Sequence, residues 1–272
     1  MDLLGYKGKR VIVSGCFSGM GEATARILVE LGAEVHGLDF KESSLKLASF
    51  NLVDLRNPAT IEAAVAKIGG KVDALFNCAG LPKTASPLDV MRVNFVGTRH
   101  MTETVLPLMA EGSAIASISS NGGLGWSRRM PVIMELIAQK GPEAAIKWCE
   151  EHMDQVKEGY AFSKEMIIVW SMLTAAHLIK KGIRMNCTMP GPTQTPMMSH
   201  FKEASGEAVV NAATQPSGRY STPEEQATAL IFLNSDAAKF VNGVALPVDG
   251  GFMGGVATGQ VDLSVMMSNQ SK

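Results

Sequence analysis

The chain has little of what several function classes require. Its four cysteines, Cys16, Cys78, Cys149 and Cys187, form no C-x-x-C pair. That excludes the paired-thiol zinc and redox motifs, and reads as reduced thiols in a cytoplasmic protein. The five histidines, His36, His100, His152, His177 and His200, are scattered without metal-ligand spacing, so no metal site is expected. The formal net charge is −1, with both signs interspersed and no basic tract to suggest nucleic acid or an anionic membrane surface. No uncharged apolar run of about 18 residues is present to span a bilayer. Met1 to Arg10 has no apolar centre of the kind a signal peptide carries. Repeats, linkers and low-complexity segments are absent, and no carboxylate pair stands out for glycosidase-type chemistry.

What is present is an alternation. Strand-like apolar runs lie at 10–14, 34–39, 49–53, 72–77, 114–118, 184–189 and 244–248. They are nearly continuous rather than alternating, which is how strands buried on both faces read. Helical periods fall between most of them, at 21–31, 59–68, 89–109, 160–181 and 223–234. This order predicts one α/β domain over residues 1–272, a Rossmann-type doubly wound parallel sheet of about seven strands. The link from Asp39 to Ser49 is too short for a full crossover helix. The stretch from Gly125 to Gly159 is a helical insertion, divided at Gly141-Pro142. Insertions of this size act as lids or interface elements.

"SGCFSGMG", Ser14 to Gly21, joins the first strand to the first helix. Glycines there allow a tight turn and let backbone N–H groups approach a pyrophosphate, and the helix N-terminus adds partial positive charge. Gly15, Ser18, Gly19, Met20 and Gly21 thus form a candidate phosphate cradle, although the spacing differs from G-x-G-x-x-G. Asp39 ends the second strand, where a carboxylate binds a ribose 2′-OH and repels a 2′-phosphate. NAD is therefore favoured over NADP, with Lys41 two residues on softening the preference. In "YAFSK", Tyr160 and Lys164 are four residues apart and share a helix face. An ammonium near a phenol lowers its pKa towards what a general acid/base needs.

Other motifs follow in order: "NCAG" ends the fourth strand, "RVNFVGT" lies on the next helix, "SISSNGG" ends the fifth strand, and "MPGPTQTPM" and "PVDGGF" come after. Each sits at a strand's C-terminal end or on the following helix, where open α/β sheets bind ligands. The ordered set closely resembles the short-chain dehydrogenase/reductase family, from about residue 8 to residue 252. The resemblance implies a catalytic tetrad. Tyr160 exchanges the proton, Lys164 lowers its pKa and holds the nicotinamide ribose, Ser120 hydrogen-bonds the substrate oxygen, and Asn94 holds a water that links Lys164 to solvent. Ser119 is the rival for the serine role. Asp54 and Leu55 would contact the adenine, and Asn77, Ala79 and Gly80 would line the adenosine side. Pro190, Gly191, Thr193 and Thr195 would hold the nicotinamide carboxamide.

Ser120 and Tyr160 are 40 positions apart, much more than is usual in the family, because the insertion lies between them. With the short 39–49 link, this is similar to the branch containing 3α-hydroxysteroid dehydrogenase/carbonyl reductase and coniferyl-alcohol dehydrogenase. The implied activity is NAD-dependent hydride transfer between NAD and the alcohol or carbonyl of a lipophilic ring compound. Steroids come first as substrates and coniferyl-type allylic alcohols second. Epimerases and dehydratases of nucleotide sugars also use Tyr-x-x-x-Lys, but carry a sugar domain for which this chain is too short. A sensor that binds NAD without turnover would be expected to lose Tyr160 or Lys164. Met130, Met134, Ile137, Trp148 and Met153 of the insertion are candidates for an apolar pocket wall. Family members commonly assemble through the helices bearing Asn94 and Tyr160. An insertion over that surface points to a homodimer through other faces, with a tetramer next. In the tail from residue 253 to 272, Val261, Leu263, Val265 and Met266 are candidates to cover the pocket or a neighbouring subunit.

Overall fold

The computed structural model describes residues 2–265. Seven parallel strands form a single sheet: β1 (Arg10–Ser14), β2 (Glu34–Asp39), β3 (Ser49–Leu52), β4 (Val72–Asn77), β5 (Met109–Ile118), β6 (Arg184–Pro190) and β7 (Ala245–Val248). Their order is β3-β2-β1-β4-β5-β6-β7. The direction of winding reverses between β1 and β4, so their carboxyl ends open a crevice.

Helices cover both faces. On one, α1 (Gly19–Glu30) packs on α11 (Pro223–Asn234), burying a core that includes Val11, Val13, Leu28, Phe76 and Leu230. The larger core on the other face includes Ile12, Leu75, Phe95, Ile115 and Phe162. It lies under α2 (Pro58–Ile68), α3 (Pro87–Met91), α4 (Thr98–Val105) and α8 (Gly159–Leu178). No helix forms between β2 and β3.

Three features depart from the sequence reading. The helix expected at 89–109 starts earlier, at Pro87, where the Ser86 side chain accepts from the Asp89 amide. It then widens into a π-helical turn over Arg92–Gly97, and ends in a 3₁₀ turn at Leu106–Leu108. Pro107 in that last turn has no N–H with which to continue an α-helix. Strand β5 consequently begins five residues before the expected 114, at Met109. Finally, Gly159–Lys181 is long and apolar enough to cross a membrane, with mean hydropathy 1.2. The helix carries Lys164 and Glu165 and is packed against β6 and the π turn, so its apolarity serves the core.

The insertion folds as α5 (Met130–Ile137), α6 (Gly141–Glu151) and α7 (Met153–Val156). It packs on the outer sides of α3, the π turn and α8, burying Ile133, Leu136, Trp148, Cys149 and Val156. Two short helices, α9 (Met198–Ser205) and α10 (Glu207–Ala212), follow β6, and α12 (Phe252–Ala257) follows β7.

Candidate active site

The glycine-rich turn is shaped by contact. Gly15 has φ +75°, and a Cβ there would lie 2.5 Å from the Ala79 amide nitrogen. A Cβ at Gly21 would run into the Gly15 carbonyl. The turn therefore folds tightly on itself and on the end of β4 only because these residues lack side chains. Ser18 caps α1 with extended backbone but no side-chain cap bond, so its side chain does not satisfy the first amides of the helix. Across the crevice, a Cβ at Gly19 would stand 3.2 Å from the Thr195 methyl. This narrow cradle at a helix N-terminus fits a pyrophosphate. Asp39 closes one end. Its two carboxylate oxygens accept from the Phe17 amide at 3.0 Å and the Lys41 amide at 3.1 Å.

A cavity of about 520 Å³ continues from the cradle over the ends of β4, β5 and β6. Met20, Gly80, Ser120, Tyr160 and Lys164 line it, as do Pro190, Gly191, Thr193 and Thr195. Lys164 is 5% exposed, and its Nζ donates to the Ile118 carbonyl at 2.9 Å. The same nitrogen stands 5.6 Å from the Tyr160 ring centroid. Burial pushes the Lys164 ammonium down to about 8. Burial also pushes the Tyr160 phenol up to about 12, with the Ser120 hydroxyl pulling the other way. Around neutral pH Tyr160 is thus a phenol and Lys164 an ammonium.

The two serines separate cleanly. Ser119 is 1% exposed and donates to the Lys164 carbonyl at 2.8 Å, inside the protein. Ser120 accepts from the Gly122 amide at 3.0 Å and faces Tyr160. Asn94 lies in the π turn. Its Oδ1 accepts from the Leu81 amide at 2.7 Å, and its Nδ2 donates to Ser163 at 3.3 Å. A Cβ at Gly80 would meet Asn94 Oδ1 at 3.4 Å and Lys164 Nζ at 3.9 Å, so the two side chains share one corner.

Three of the expected cofactor residues have partners within the protein. The Asn77 carboxamide turns into the sheet and donates to Thr102 and Ser117. Leu55 is 8% exposed and packs in the core. Asp54 is gripped by Arg56, whose guanidinium holds its carboxyl below the usual range. None of Met130, Met134, Ile137, Trp148 and Met153 lines the cavity, because the insertion lies behind α8. In its place α9 and α10 supply Met198, Phe201, Val209 and Val210 to the outer wall. Sequence reasoning missed them, although Met197, Met198 and Phe201 follow the "PGPTQTP" loop at helical spacing. Val261 is buried against α12. Met266 lies outside the described residues. Among the described residues no cluster of His, Cys, Asp and Glu could hold a metal ion.

Residues 9–132 match the short chain dehydrogenase family, and residues 147–253 match a family described as enoyl-(acyl carrier protein) reductase. The chain is 34% identical to a coniferyl-alcohol dehydrogenase of Pseudomonas sp. strain HR199 over 244 residues, 89% of this chain and 96% of that protein. It is 30% identical to the 3-alpha-hydroxysteroid dehydrogenase/carbonyl reductase of Comamonas testosteroni over 250 residues, 89% of this chain and 95% of that protein. The chain belongs to the short-chain dehydrogenase family. The crystal structure of 3-alpha-hydroxysteroid dehydrogenase from Pseudomonas sp. B-0831, complexed with NADH, superposes with a TM-score of 0.78 at 27% identity. That match covers 93% of this chain and all of the other. This short-chain dehydrogenase is accordingly an oxidoreductase that acts between an alcohol and its carbonyl with a nicotinamide cofactor.

The cofactor supplies the hydride acceptor or donor when bound. The protein supplies the rest. Tyr160, a phenol at neutral pH, is in the form that gives a proton to a carbonyl oxygen. In the reverse direction it must first ionise, which burial opposes and the Ser120 hydroxyl favours. Ser120 faces that phenol, where it would hold the reacting oxygen.

Proposed function

We propose that this chain is an NAD-linked dehydrogenase/reductase for the secondary alcohol or ketone of a lipophilic ring compound, of the 3α-hydroxysteroid dehydrogenase/carbonyl reductase type. The observation that carries this is the placement of Tyr160, with Ser120 and Lys164 beside it, on the floor of a cavity walled by Leu81, Val90, Met198, Phe201 and Val209. Such walls suit an apolar ring, and the buried polar floor suits one oxygen. The fixed Asp39 carboxylate at the adenosine end supports NAD over NADP, because a 2′-phosphate there would face a negative charge. By the same reading Gly15, Ser18, Gly19 and Gly21 cradle the pyrophosphate, and Asn94 orders the corner behind Lys164. The four unpaired thiols support a reducing, cytoplasmic setting. A second reading, a coniferyl-type allylic alcohol as substrate, is favoured by the 34% identity to a coniferyl-alcohol dehydrogenase.

The test is cofactor reduction by the full chain with NAD or NADP and a panel of 3α-hydroxysteroids, coniferyl alcohol and simple secondary alcohols. Steroids should turn over fastest with NAD, and Tyr160→Phe should lower kcat by about 10²–10⁴-fold while still binding NADH. Faster coniferyl alcohol oxidation would select the second reading. No turnover of any alcohol by wild-type protein that binds NADH would overturn both.

A further inference from the structure

Phe201 is the point at which α9 meets the reacting phenol. The Phe201 and Tyr160 rings stand edge to face, with centroids 4.9 Å apart and planes at 76°. Helix α9 buries none of its residues, so no packed core holds it in place. It is tied instead across the mouth of the cavity. His200 Nδ1 and Thr84 Oγ1 are 3.0 Å apart, and Lys83 Nζ donates to Ser205 at 3.5 Å. Thr84 and Lys83 belong to the loop after β4, on the opposite lip. At the far end of α9, Gly206 has φ +84°, a backbone conformation that glycine adopts readily. Phe201 is thus a large ring over Tyr160, carried on a wall that buries none of its own residues and is tied to the opposite lip by two exposed hydrogen bonds.

We propose that Phe201 is the specificity-determining residue of this site. Its ring holds the place of a substrate ring against Tyr160, and a bulky substrate reaches the phenol by displacing it. This rests on the alcohol–ketone reading above. A small cyclic alcohol fits beside Phe201 with α9 in place. A fused-ring alcohol needs α9 to lift, which breaks the His200–Thr84 and Lys83–Ser205 ties. The charged groups lining the same cavity are Lys164 on α8 and Lys83, Lys157 and Glu158, with His200 next to Phe201 and Ser120 facing the phenol. None of these is altered by a change at position 201.

The experiment compares Phe201→Ala and Phe201→Leu with the wild-type chain. Because α9 contributes no buried residue, both variants should fold, and thermal unfolding checks this. The first readout is the ratio of kcat/KM for a fused-ring secondary alcohol to that for a single-ring one. Phe201→Ala should raise it by at least about fivefold, within the range one pocket side chain commands, and Phe201→Leu should stay near wild type. The second readout needs no turnover. Ionisation of Tyr160, followed as the phenolate absorbance difference between each protein and its Tyr160→Phe counterpart, should move to lower pH by about half a unit in Phe201→Ala. In an active enzyme an unchanged kcat/KM ratio overturns the proposal, whatever the ionisation does. If the wild type turns over no alcohol, the functional reading fails on its own, and an unmoved ionisation then overturns the role of Phe201.

Discussion

Ser119 and Ser120 are neighbours at the end of β5, and their hydroxyls serve different surfaces. Ser119 bonds the backbone of α8 from within, and Ser120 faces the phenol. Ser119→Ala should cost about 1 kcal/mol in thermal or urea unfolding, the worth of one buried hydrogen bond, with kcat/KM nearly unchanged. Ser120→Ala should leave stability alone and lower kcat/KM by about 10²-fold. The reverse ranking would move the substrate oxygen to Ser119. Lys164 illustrates the cost of holding a charge in the interior. Its folded pKa, about 8, lies below that of an exposed lysine. Below pH 8 the folded state must bury an ammonium, so the penalty is fully present. As pH rises from 8 towards the ordinary lysine value, the folded state sheds its proton first and gains stability relative to the unfolded one. Lys164→Met removes the group and its penalty. Melting temperatures of variant and wild type, followed against pH, should therefore change most in the variant's favour below pH 8 and converge above it.

The insertion and the catalytic helix are joined by one ion pair. Arg129 Nη1 lies 3.3 Å from Glu165, which is 4% exposed, and the guanidinium also covers the Phe162 ring at 4.1 Å. Burial raises the Glu165 pKa and Arg129 opposes the rise. Arg129→Met strands the carboxylate and should cost about 3 kcal/mol at neutral pH. A group whose acid form is favoured on folding destabilises most when ionised, so the deficit should shrink as pH falls towards the ordinary glutamate range. Urea unfolding at neutral and mildly acidic pH measures this, and a pH-independent deficit would mean that Glu165 plays no part. At this scale the sequence was most readable where burial was two-sided. The inner strands β1, β2, β4 and β6 announce themselves as short apolar runs, whereas the edge strand β3, Ser-Phe-Asn-Leu, has only one buried residue. The π turn did not, since Arg92–Gly97 has the same apolar spacing whether wound at four or five residues. Nor did α9 and α10, because their apolar residues face a cavity rather than the core and so leave no packed stripe to read. The five apolar insertion residues were legible as apolar, but spacing along the chain could not say that they lie behind α8 rather than in front of it.

Across the whole molecule, the insertion covers the outer sides of α3, the π turn and α8. The expectation of a homodimer through other faces rests on this cover. Light scattering should give twice the chain mass, and four times that mass would overturn the dimer. The residues of the expected tetrad stand in the sequence as an ordered set of motifs, and the fold brings Ser120, Tyr160 and Lys164 to one cavity. The α9 and α10 residues that wall that cavity carried no such motif.

The contrast between α8 and α9 carries a consequence for how this protein can change. Thirteen residues of α8 are buried, and α9 buries none. Substitutions beside the proton donor disturb the interior, while substitutions on the opposite wall barely touch it. On the proposed reading the substrate range can therefore drift, or be exchanged by grafting α9 of a relative, with little disturbance of the interior.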